Sequence, residues 1–284
     1  MKKILILGQN GALGKAIKDI LNDNPNVKLL FAVRNKEHSS KNFIYWNFRD
    51  KIPSQFKDVD VVINCARSDD FNFNVNFNKI LISSLPKSIK IILFSSNAIY
   101  AKPNGLFIKW LFKGDAYIRE KKIIEKFSFK FKNVLILRPT IVRDEGSWNS
   151  FVNSCNNASD VVGPLEGNSS RIKLTNRKAV AELVEKSIFN NLDLPDEIFN
   201  SIESVDDFIG RKISYIGKKT NFFQNYSKNF LLTLLSSRIF NDTSVFFLQK
   251  TLLGKNKKIN QSNSNKTLMI EGMTKLYLFR GHTK

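Results

Sequence analysis

The sequence lacks the features that mark disulfide-rich, zinc-binding, secreted and membrane-spanning proteins. Its 284 residues include two cysteines, Cys65 and Cys155, which are too few and too far apart for a disulfide framework or a zinc site. No apolar run reaches the ~18 residues that a membrane-spanning helix needs. The N-terminal Met-Lys-Lys leads into a short apolar segment with glycines, and not into the long apolar region of a secretory signal. We therefore expect a cytoplasmic protein without a transmembrane span or a metal site.

Acidic residues are also scarce, since 25 Asp and Glu stand against 45 Lys and Arg and leave a net charge of +20. The imbalance is strongest in residues 211–284, where fourteen Lys or Arg accompany two acids. Such a surplus favours nucleic acid, an anionic membrane surface or an anionic substrate as a partner. A general bias of the chain toward Lys, Asn, Ile and Phe also explains it. Because no zinc-finger, RNA-recognition or helix-turn-helix signature accompanies the charge, nucleic-acid binding is not predicted.

Apolar runs of strand length alternate with segments of helical spacing through the first two thirds of the chain. Predicted strands cover residues 3–7, 27–33, 43–48, 59–65, 89–95 and 134–137, and predicted helices cover 12–22, 77–84, 117–127 and 177–189. This alternation predicts an α/β fold with a Rossmann-like, doubly wound parallel sheet. Beyond about residue 142 the pattern loosens, which predicts a small C-terminal lobe.

A glycine-rich turn lies between the first predicted strand and the first predicted helix. Gly8, Gly11 and Gly14 allow a tight turn, a close approach of backbone to a pyrophosphate, and close packing of the helix on the sheet. The N–H groups at the start of that helix are then available to phosphates. The segment therefore predicts a dinucleotide site, to which we assign Gly8, Asn10, Gly11, Ala12, Leu13 and Gly14.

Arg34 follows the second predicted strand, where an NAD-selective site usually places an acid against the ribose 2′-hydroxyl. A planar guanidinium is instead suited to a 2′-phosphate. This position favours NADP(H) as the cofactor and leaves NAD(H) open. The alternative is an Arg that simply points to solvent.

Tyr117 and Lys121 lie about a hundred residues after the glycine turn, with the pair Ser95-Ser96 between them and the turn. Residues four apart on a helix share one face. A nearby ammonium lowers the pKa of a phenol, so that a tyrosine in this setting can exchange a proton near neutral pH. The spacing alone also fits an exposed helix face, but together with the glycine turn it predicts a catalytic pair.

Several ordered motifs within residues 2–190 resemble those of the extended short-chain dehydrogenases/reductases, which include nucleotide-sugar epimerases, dehydratases and 4-keto reductases. The glycine turn fits the family's G-x-x-G-x-x-G, residues 46–50 resemble its G-D-[LI]-R-D segment, and residues 61–66 resemble its fourth strand. Asn74-Val75 resembles its N-V pair, and residues 95–100 resemble its S-S-x-x-V-Y. Tyr117 and Lys121 fit the active dyad, and residues 137–139 fit the L-R-P that ends the sixth strand.

The resemblance implies hydride transfer at a sugar carbon, usually C4. Tyr117 is then the residue that donates or removes the proton, Lys121 holds the nicotinamide ribose, and Ser96 hydrogen-bonds the reacting oxygen. The further cofactor residues implied are Asn47, Phe48, Cys65, Ala66, Arg67, Asn74, Lys121 and Pro139. We expect an NAD(P)-binding domain at residues 1–150, an interleaved substrate lobe at 151–215 and a basic extension at 216–284. The resemblance also implies a homodimer built on the helix that holds Tyr117.

Departures from the family pattern narrow the reaction. The 4,6-dehydratases carry Asp-Glu where this chain has Asn97-Ala98, and the bifunctional epimerase-reductases carry a Cys at the position of Ala98. An epimerase generally keeps NAD bound, which fits poorly with Arg34. The favoured function is therefore an NADPH-dependent reductase of a nucleotide-linked 4-keto sugar, with a 4-epimerase as the alternative. A short segment at residues 67–74 and a missing H-V-D-D near residues 173–176 leave the sugar unassigned.

Two rival functions of another class stay open at this point. A non-catalytic NAD(P)-binding regulator usually loses the Tyr or the Lys, and this chain keeps both. A membrane-surface enzyme with a lipid-linked substrate is suggested by the apolar residues 228–235 and the basic C-terminal segment, although packing onto the lobe explains them better. Arg171, Lys173 and Arg177 are candidates for contact with a substrate diphosphate, and they are equally well explained as solvated surface.

Overall fold

The computed structural model describes residues 1–35, 41–49, 51–100, 116–142, 161–163, 171–189, 198–204, 207, 214–215 and 268–269. Its strands are β1 Lys2–Leu7, β2 Val27–Val33, β3 Phe43–Tyr45, β4 Val61–Asn64, β5 Lys90–Phe94, β6 Val134–Leu137, β7 Ile141–Val142, β8 Val161–Gly163, β9 Arg171–Thr175, β10 Ser201–Ser204, β11 Ser214–Tyr215 and β12 Leu268–Met269. Its helices are α1 Ala12–Asn22, α2 Phe71–Ser84, α3 Ala116–Ser128 and α4 Arg177–Phe189. Cys155, the segment 228–235 and nearly all of the predicted extension at 216–284 lie outside the described residues.

The first six strands form one parallel sheet in the order β3-β2-β1-β4-β5-β6. β1 lies at the centre, where Ile4 pairs with Leu29 of β2 on one side and with Val61 of β4 on the other. The strand order therefore reverses between β1 and β4, and such reversals open the ligand crevice of doubly wound folds. The prediction of a Rossmann-like parallel sheet is confirmed.

Helices cover both faces of this sheet because apolar residues alternate along its central strand. Leu5 and Leu7 belong to a core that also includes residues of α2, whereas Ile4 and Ile6 belong to a second core with residues of α1 and α4. Alternate side chains of a strand point to opposite faces, so each residue of β1 from Ile4 onward is buried against one of the two layers.

Helix α2 begins at Phe71, earlier than the predicted residue 77. The side chain of Asp70 accepts hydrogen bonds from the backbone N–H groups of Asn72 and Phe73 and so caps the helix. Asn74 therefore lies one turn inside the helix. The segment after β4 is consequently more helical than its polar sequence suggested.

Contacts divide the chain into two compact units. The first comprises residues 1–99, 116–145 and 175–200 and contains the six-stranded sheet. The second comprises residues 100–115, 146–174 and 201–284. In it, β9 and β10 pair antiparallel, and β8 pairs in parallel with both β11 and β12. The predicted domain boundaries at residues 150 and 215 stay a prediction. Within the described part of the chain, no helix is long and apolar enough to cross a membrane.

Candidate active site

A cavity of about 410 Å³ opens at the carboxyl ends of β1, β2 and β4. This is the place where the strand order reverses and where doubly wound folds bind their ligands. Of the predicted cofactor residues, those that line it are Gly8, Asn10, Gly11, Arg34, Phe48, Cys65, Ala66 and Arg67. Backbone of the glycine turn forms one wall, and the residues that follow β2, β3 and β4 form the others.

The turn at the end of β1 is built so closely that side chains do not fit at two of its glycines. Gly8 has a φ of 79°, and a Cβ there would lie 2.7 Å from the backbone nitrogen of Ala66. A Cβ at Gly14 would lie 2.2 Å from the carbonyl oxygen of Gly8. The start of α1 therefore packs directly against the turn.

The N-terminus of α1 has the features of a phosphate site. Its N-cap is Gly11, which makes no side-chain capping hydrogen bond, and its first turn holds no acidic residue. The first N–H groups of the helix are thus not satisfied by a capping side chain, and they lie beside a cavity. These residues fit a dinucleotide pyrophosphate.

An aromatic wall forms one side of the cavity. Phe48 and Phe77 line it with their rings 5.2 Å apart, and Phe73 stacks on Phe77 at 5.8 Å with nearly parallel planes. Phe48 also has a φ of 66°, a left-handed conformation that costs a non-glycine residue about 1–2 kcal/mol. Such a wall offers the flat apolar surface against which a purine base packs.

Arg34 is exposed and lines the cavity at the end of β2. Asn35 lines the cavity next to it. Arg34 and Asn35 therefore form the part of the cavity wall that follows β2.

The end of β4 contributes Cys65 and Ala66 as backbone and small side chains of the cavity wall. Burial raises the pKa of the Cys65 thiol, which therefore stays protonated and is not a nucleophile. Its role in the wall is one of shape.

Tyr117 and Lys121 lie together on α3, as their spacing predicted. The Lys121 ammonium lies 5.6 Å from the centroid of the Tyr117 ring. It also donates a hydrogen bond of 2.9 Å to the carbonyl oxygen of Phe94, the last residue of β5. The pair is thus anchored beside the strand end that leads into Ser95 and Ser96.

Arg67 connects the cavity with this pair. It lines the cavity after β4, and its guanidinium carbon lies 5.0 Å from the centroid of the Tyr117 ring. A cation over the face of an aromatic ring is attracted by the ring's quadrupole. Tyr117 therefore lies next to the cavity wall.

Glu120 is a buried carboxylate next to Lys121 on the same helix, and the sequence analysis did not single it out. Its Oε1 lies 3.5 Å from Arg67 Nε and 3.8 Å from Lys121 Nζ, and its Oε2 accepts a hydrogen bond of 2.9 Å from the amide of Asn74. Burial is the main cause that lowers the pKa of Lys121 to about 8; within this net value the Glu120 charge raises the pKa and the Arg67 charge lowers it. Lys121 is therefore mainly protonated at neutral pH.

Ser96 is buried at the junction between β5 and a 3₁₀ turn at Asn97–Tyr100. The following Asn97 is wholly buried, and neither atom of its side-chain amide has a hydrogen-bond partner among the described residues. A neutral amide stands where a carboxylate would be needed for acid–base work.

The other predicted cofactor residues lie outside the cavity lining. Asn47 accepts a hydrogen bond from the backbone of Arg49, Asn74 is buried against Glu120, and Pro139 forms an isolated bridge with Ile198. Ala12, Leu13 and Gly14 form the start of α1, and Lys121 lies beside Tyr117. Lining residues that the sequence did not single out are Gln9, Ala32, Val33, Asn35, Ser68, Phe73 and Phe77. The sequence placed Phe77 at the start of a predicted helix and gave no sign that it lines a cavity.

Three solved structures illustrate what this chain is similar to. The WbmH enzyme of Bordetella bronchiseptica, in complex with NAD+, is 15% identical with a TM-score of 0.56, over 77% of this chain and 87% of that one. A UDP-glucuronic acid 4-epimerase from Bacillus cereus, in complex with NAD, is 14% identical with a TM-score of 0.54, over 75% of this chain and 84% of that one. A dTDP-4-dehydrorhamnose reductase from Clostridium acetobutylicum is 18% identical with a TM-score of 0.52, over 89% of this chain and 99% of that one.

These likenesses show a shared fold. No protein-family model matches the sequence, and no curated protein sequence matches it at a significant level. The chain thus keeps the backbone architecture of these enzymes at an identity too low to transfer an activity.

Proposed function

We propose that this protein is an extended short-chain dehydrogenase/reductase that reduces a nucleotide-linked 4-keto sugar with NADPH. The observation that carries the proposal is the placement of Arg67. This residue lines the cavity at the glycine turn, and its guanidinium lies over the ring of Tyr117. Lys121, on the same helix as Tyr117, is hydrogen-bonded to the backbone at the end of β5. A cofactor cavity and a proton-transfer pair therefore adjoin one another.

When bound, the reduced nicotinamide supplies the hydride for the reaction. The residues of this chain do the rest. Gly8, Gly11 and the start of α1 hold the pyrophosphate, and Arg34 pairs with the 2′-phosphate. Tyr117 donates a proton to the carbonyl oxygen of the substrate, and Lys121, mainly protonated below pH 8, holds the ribose and keeps the phenol acidic. Ser96 hydrogen-bonds the reacting oxygen.

A reduction is favoured over a dehydration because the two residues after Ser96 are Asn97 and Ala98, and neither side chain is an acid or a base. Elimination of water needs two groups that exchange protons at neighbouring carbons, and Asn97 is a buried amide that exchanges none. A 4-epimerase is the second candidate, since similar structures of enzymes in this fold hold NAD. The proposal also includes a homodimer and a cytoplasmic location, both of which stay predictions.

Identification of any nucleotide that co-purifies with the protein tests the proposal. When the purified protein is denatured, we expect mass spectrometry to detect little released nucleotide. The reason is that a reductase exchanges its cofactor after each turnover. We also expect loss of NADPH absorbance on addition of nucleotide-linked 4-keto sugars. Stoichiometric bound NAD, with interconversion of 4-hydroxyl epimers and no net NADPH use, would identify the epimerase. Binding of neither nucleotide would overturn both.

Arg34→Asp is expected to reverse the cofactor preference. The substitution removes the only cation that this proposal places at the 2′-phosphate and supplies an acceptor for the 2′-hydroxyl of NADH. A lost charge-assisted contact is worth about 1.5–3 kcal/mol, so NADPH affinity should fall at least about tenfold while NADH affinity rises. Quenching or enhancement of nicotinamide fluorescence on titration measures both constants.

Arg49→Asp is the matched control for Arg34→Asp. Arg49 is also exposed and follows a neighbouring strand, but it does not line the cavity. The same change of charge at that position should leave the ratio of NADPH to NADH affinity within about twofold, because exposed charges are strongly screened. Equal effects of the two variants would show that Arg34 acts only through the general field of the protein.

A further inference from the structure

We propose that Glu120 is a positioning residue that holds the Lys121 ammonium and the Arg67 guanidinium beside Tyr117. This role rests on the proposed function, because Lys121 and Arg67 matter only where Tyr117 exchanges a proton next to a cofactor. Glu120 itself is nearly inaccessible, with 3% of its side chain exposed, and it is not among the residues that line the cavity. It acts through its two cationic neighbours.

The contacts of Glu120 tie the catalytic helix to the loop after β4. One carboxylate oxygen faces both cations, at 3.5 Å from Arg67 and 3.8 Å from Lys121. The other oxygen accepts a hydrogen bond from the side-chain amide N–H of Asn74. The same amide group donates a hydrogen bond to the carbonyl oxygen of Ser68 and accepts one from the Ser68 backbone N–H. The carboxylate is thereby fixed from the side of α2, and the two cations are fixed relative to it.

Glu120 provides a negative charge between Arg67 and Lys121, two cations that repel each other. Arg67 lies close enough to lower the pKa of Lys121, and burial lowers it further. A buried charge without a partner is strongly destabilising, and the neighbouring Glu120 carboxylate favours the charged form of the buried Lys121 ammonium. Among the described residues, the other groups near Lys121 are the Phe94 carbonyl oxygen, the Tyr117 ring and Glu125, and Glu125 is already paired with Arg138 at 2.9 Å. Glu120 is therefore the anion that favours the charged form of Lys121 and holds both cations in place.

The test follows the ionisation of Lys121 directly in the full-length protein. Lysines are labelled with ¹³C at Cε, the Lys121 resonance is identified by its disappearance in Lys121→Met, and its titration midpoint is measured by NMR. We expect a wild-type midpoint near 8. Glu120→Gln keeps an acceptor for the Asn74 amide and loses the charge, so the midpoint should fall by about one pH unit or more. Glu120→Asp keeps the charge and should restore most of that difference.

Glu125→Gln is the matched control on the same helix. Glu125 is also a buried carboxylate paired with an arginine, so its loss has a comparable structural cost. Its effect on the Lys121 midpoint should be clearly smaller. Arg67→Met changes a half-exposed residue and should shift the Lys121 midpoint in the opposite direction. Removal of this neighbouring cation should raise the midpoint. This variant keeps the test decisive if Glu120→Gln does not fold.

An unchanged midpoint in Glu120→Gln, or one that moves no more than in Glu125→Gln, would overturn the role of Glu120. If Glu120→Gln does not fold, an unchanged midpoint in Arg67→Met would show that the Arg67 and Lys121 charges do not meet beside Glu120, and the proposed role would then be wrong. A failure of the proposed function looks different. In that case NADPH titrated against the wild type would show no binding, while the Lys121 midpoint would still fall in Glu120→Gln.

Discussion

Tyr117→Phe is expected to reduce turnover about a hundred- to ten-thousand-fold, the range that a positioned general acid typically contributes. The substitution removes one oxygen atom and keeps the ring that Arg67 and Lys121 cover at 5.0 Å and 5.6 Å. Packing of α3 should therefore be preserved, and NADPH affinity should stay within a few-fold of the wild type. Steady-state oxidation of NADPH with the keto-sugar substrate measures the loss, and nicotinamide fluorescence measures the affinity.

Tyr45→Phe is a matched control, because Tyr45 is a partly buried tyrosine on β3 that is not among the residues lining the cavity. Loss of its hydroxyl should leave turnover within about twofold, as most substitutions remote from a site do. Turnover of Tyr117→Phe at the wild-type rate would show that another group supplies the proton. The proposed catalytic role of Tyr117 would then be wrong.

The fold was predictable from sequence because each of its signals is local. The apolar runs of β1 and β4 are continuous, as strands buried on both faces must be, and the glycine turn fixes where the first helix begins. Such signals survive at low identity because they depend on residue class and not on individual contacts. The start of α2 was missed because Asp70 acts as a cap only once the chain has turned after β4.

The candidate site was predictable only where one helix or one turn carries it. Tyr117 and Lys121 share a helix face, so their proximity follows from spacing alone. Glu120 carried no such signal, since a Glu inside a Lys-rich helix is most often solvated. Its burial depends on Arg67 and Asn74, which belong to a different part of the sequence and meet it only in the folded sheet. The same holds for Phe73 and Phe77, whose place in the cavity lining depends on how α2 packs beside Phe48, the residue that follows β3.

Gly8→Ala is expected to destabilise the protein strongly and to abolish dinucleotide binding. At a φ of 79° an L-residue adopts a disfavoured left-handed conformation, and the new Cβ would lie 2.7 Å from both Ala66 N and Cys65 C. The conformation costs about 1–2 kcal/mol and crowding of a packed interior a further 1–3 kcal/mol or so, so unfolding by urea should show a loss of about 2–5 kcal/mol. The crowding atoms are backbone of the strand end that forms the cavity wall, and they have no side-chain rotamer through which to yield.

Gly11→Ala tests whether the strain is specific to Gly8 or whether the turn tolerates no side chain at any of its glycines. Gly11 has a φ of −70°, which alanine adopts freely, and a Cβ there would meet only the Gly8 carbonyl oxygen, at 3.3 Å. Alanine is a poorer N-cap than glycine, so the stability loss should be about 1 kcal/mol or less. Because the two positions are three residues apart in one turn, equal losses would mean that the strain at Gly8 is not the cause. A large loss at Gly8 alone would show that the close approach of Gly8 to the backbone of Cys65 and Ala66 is the cause.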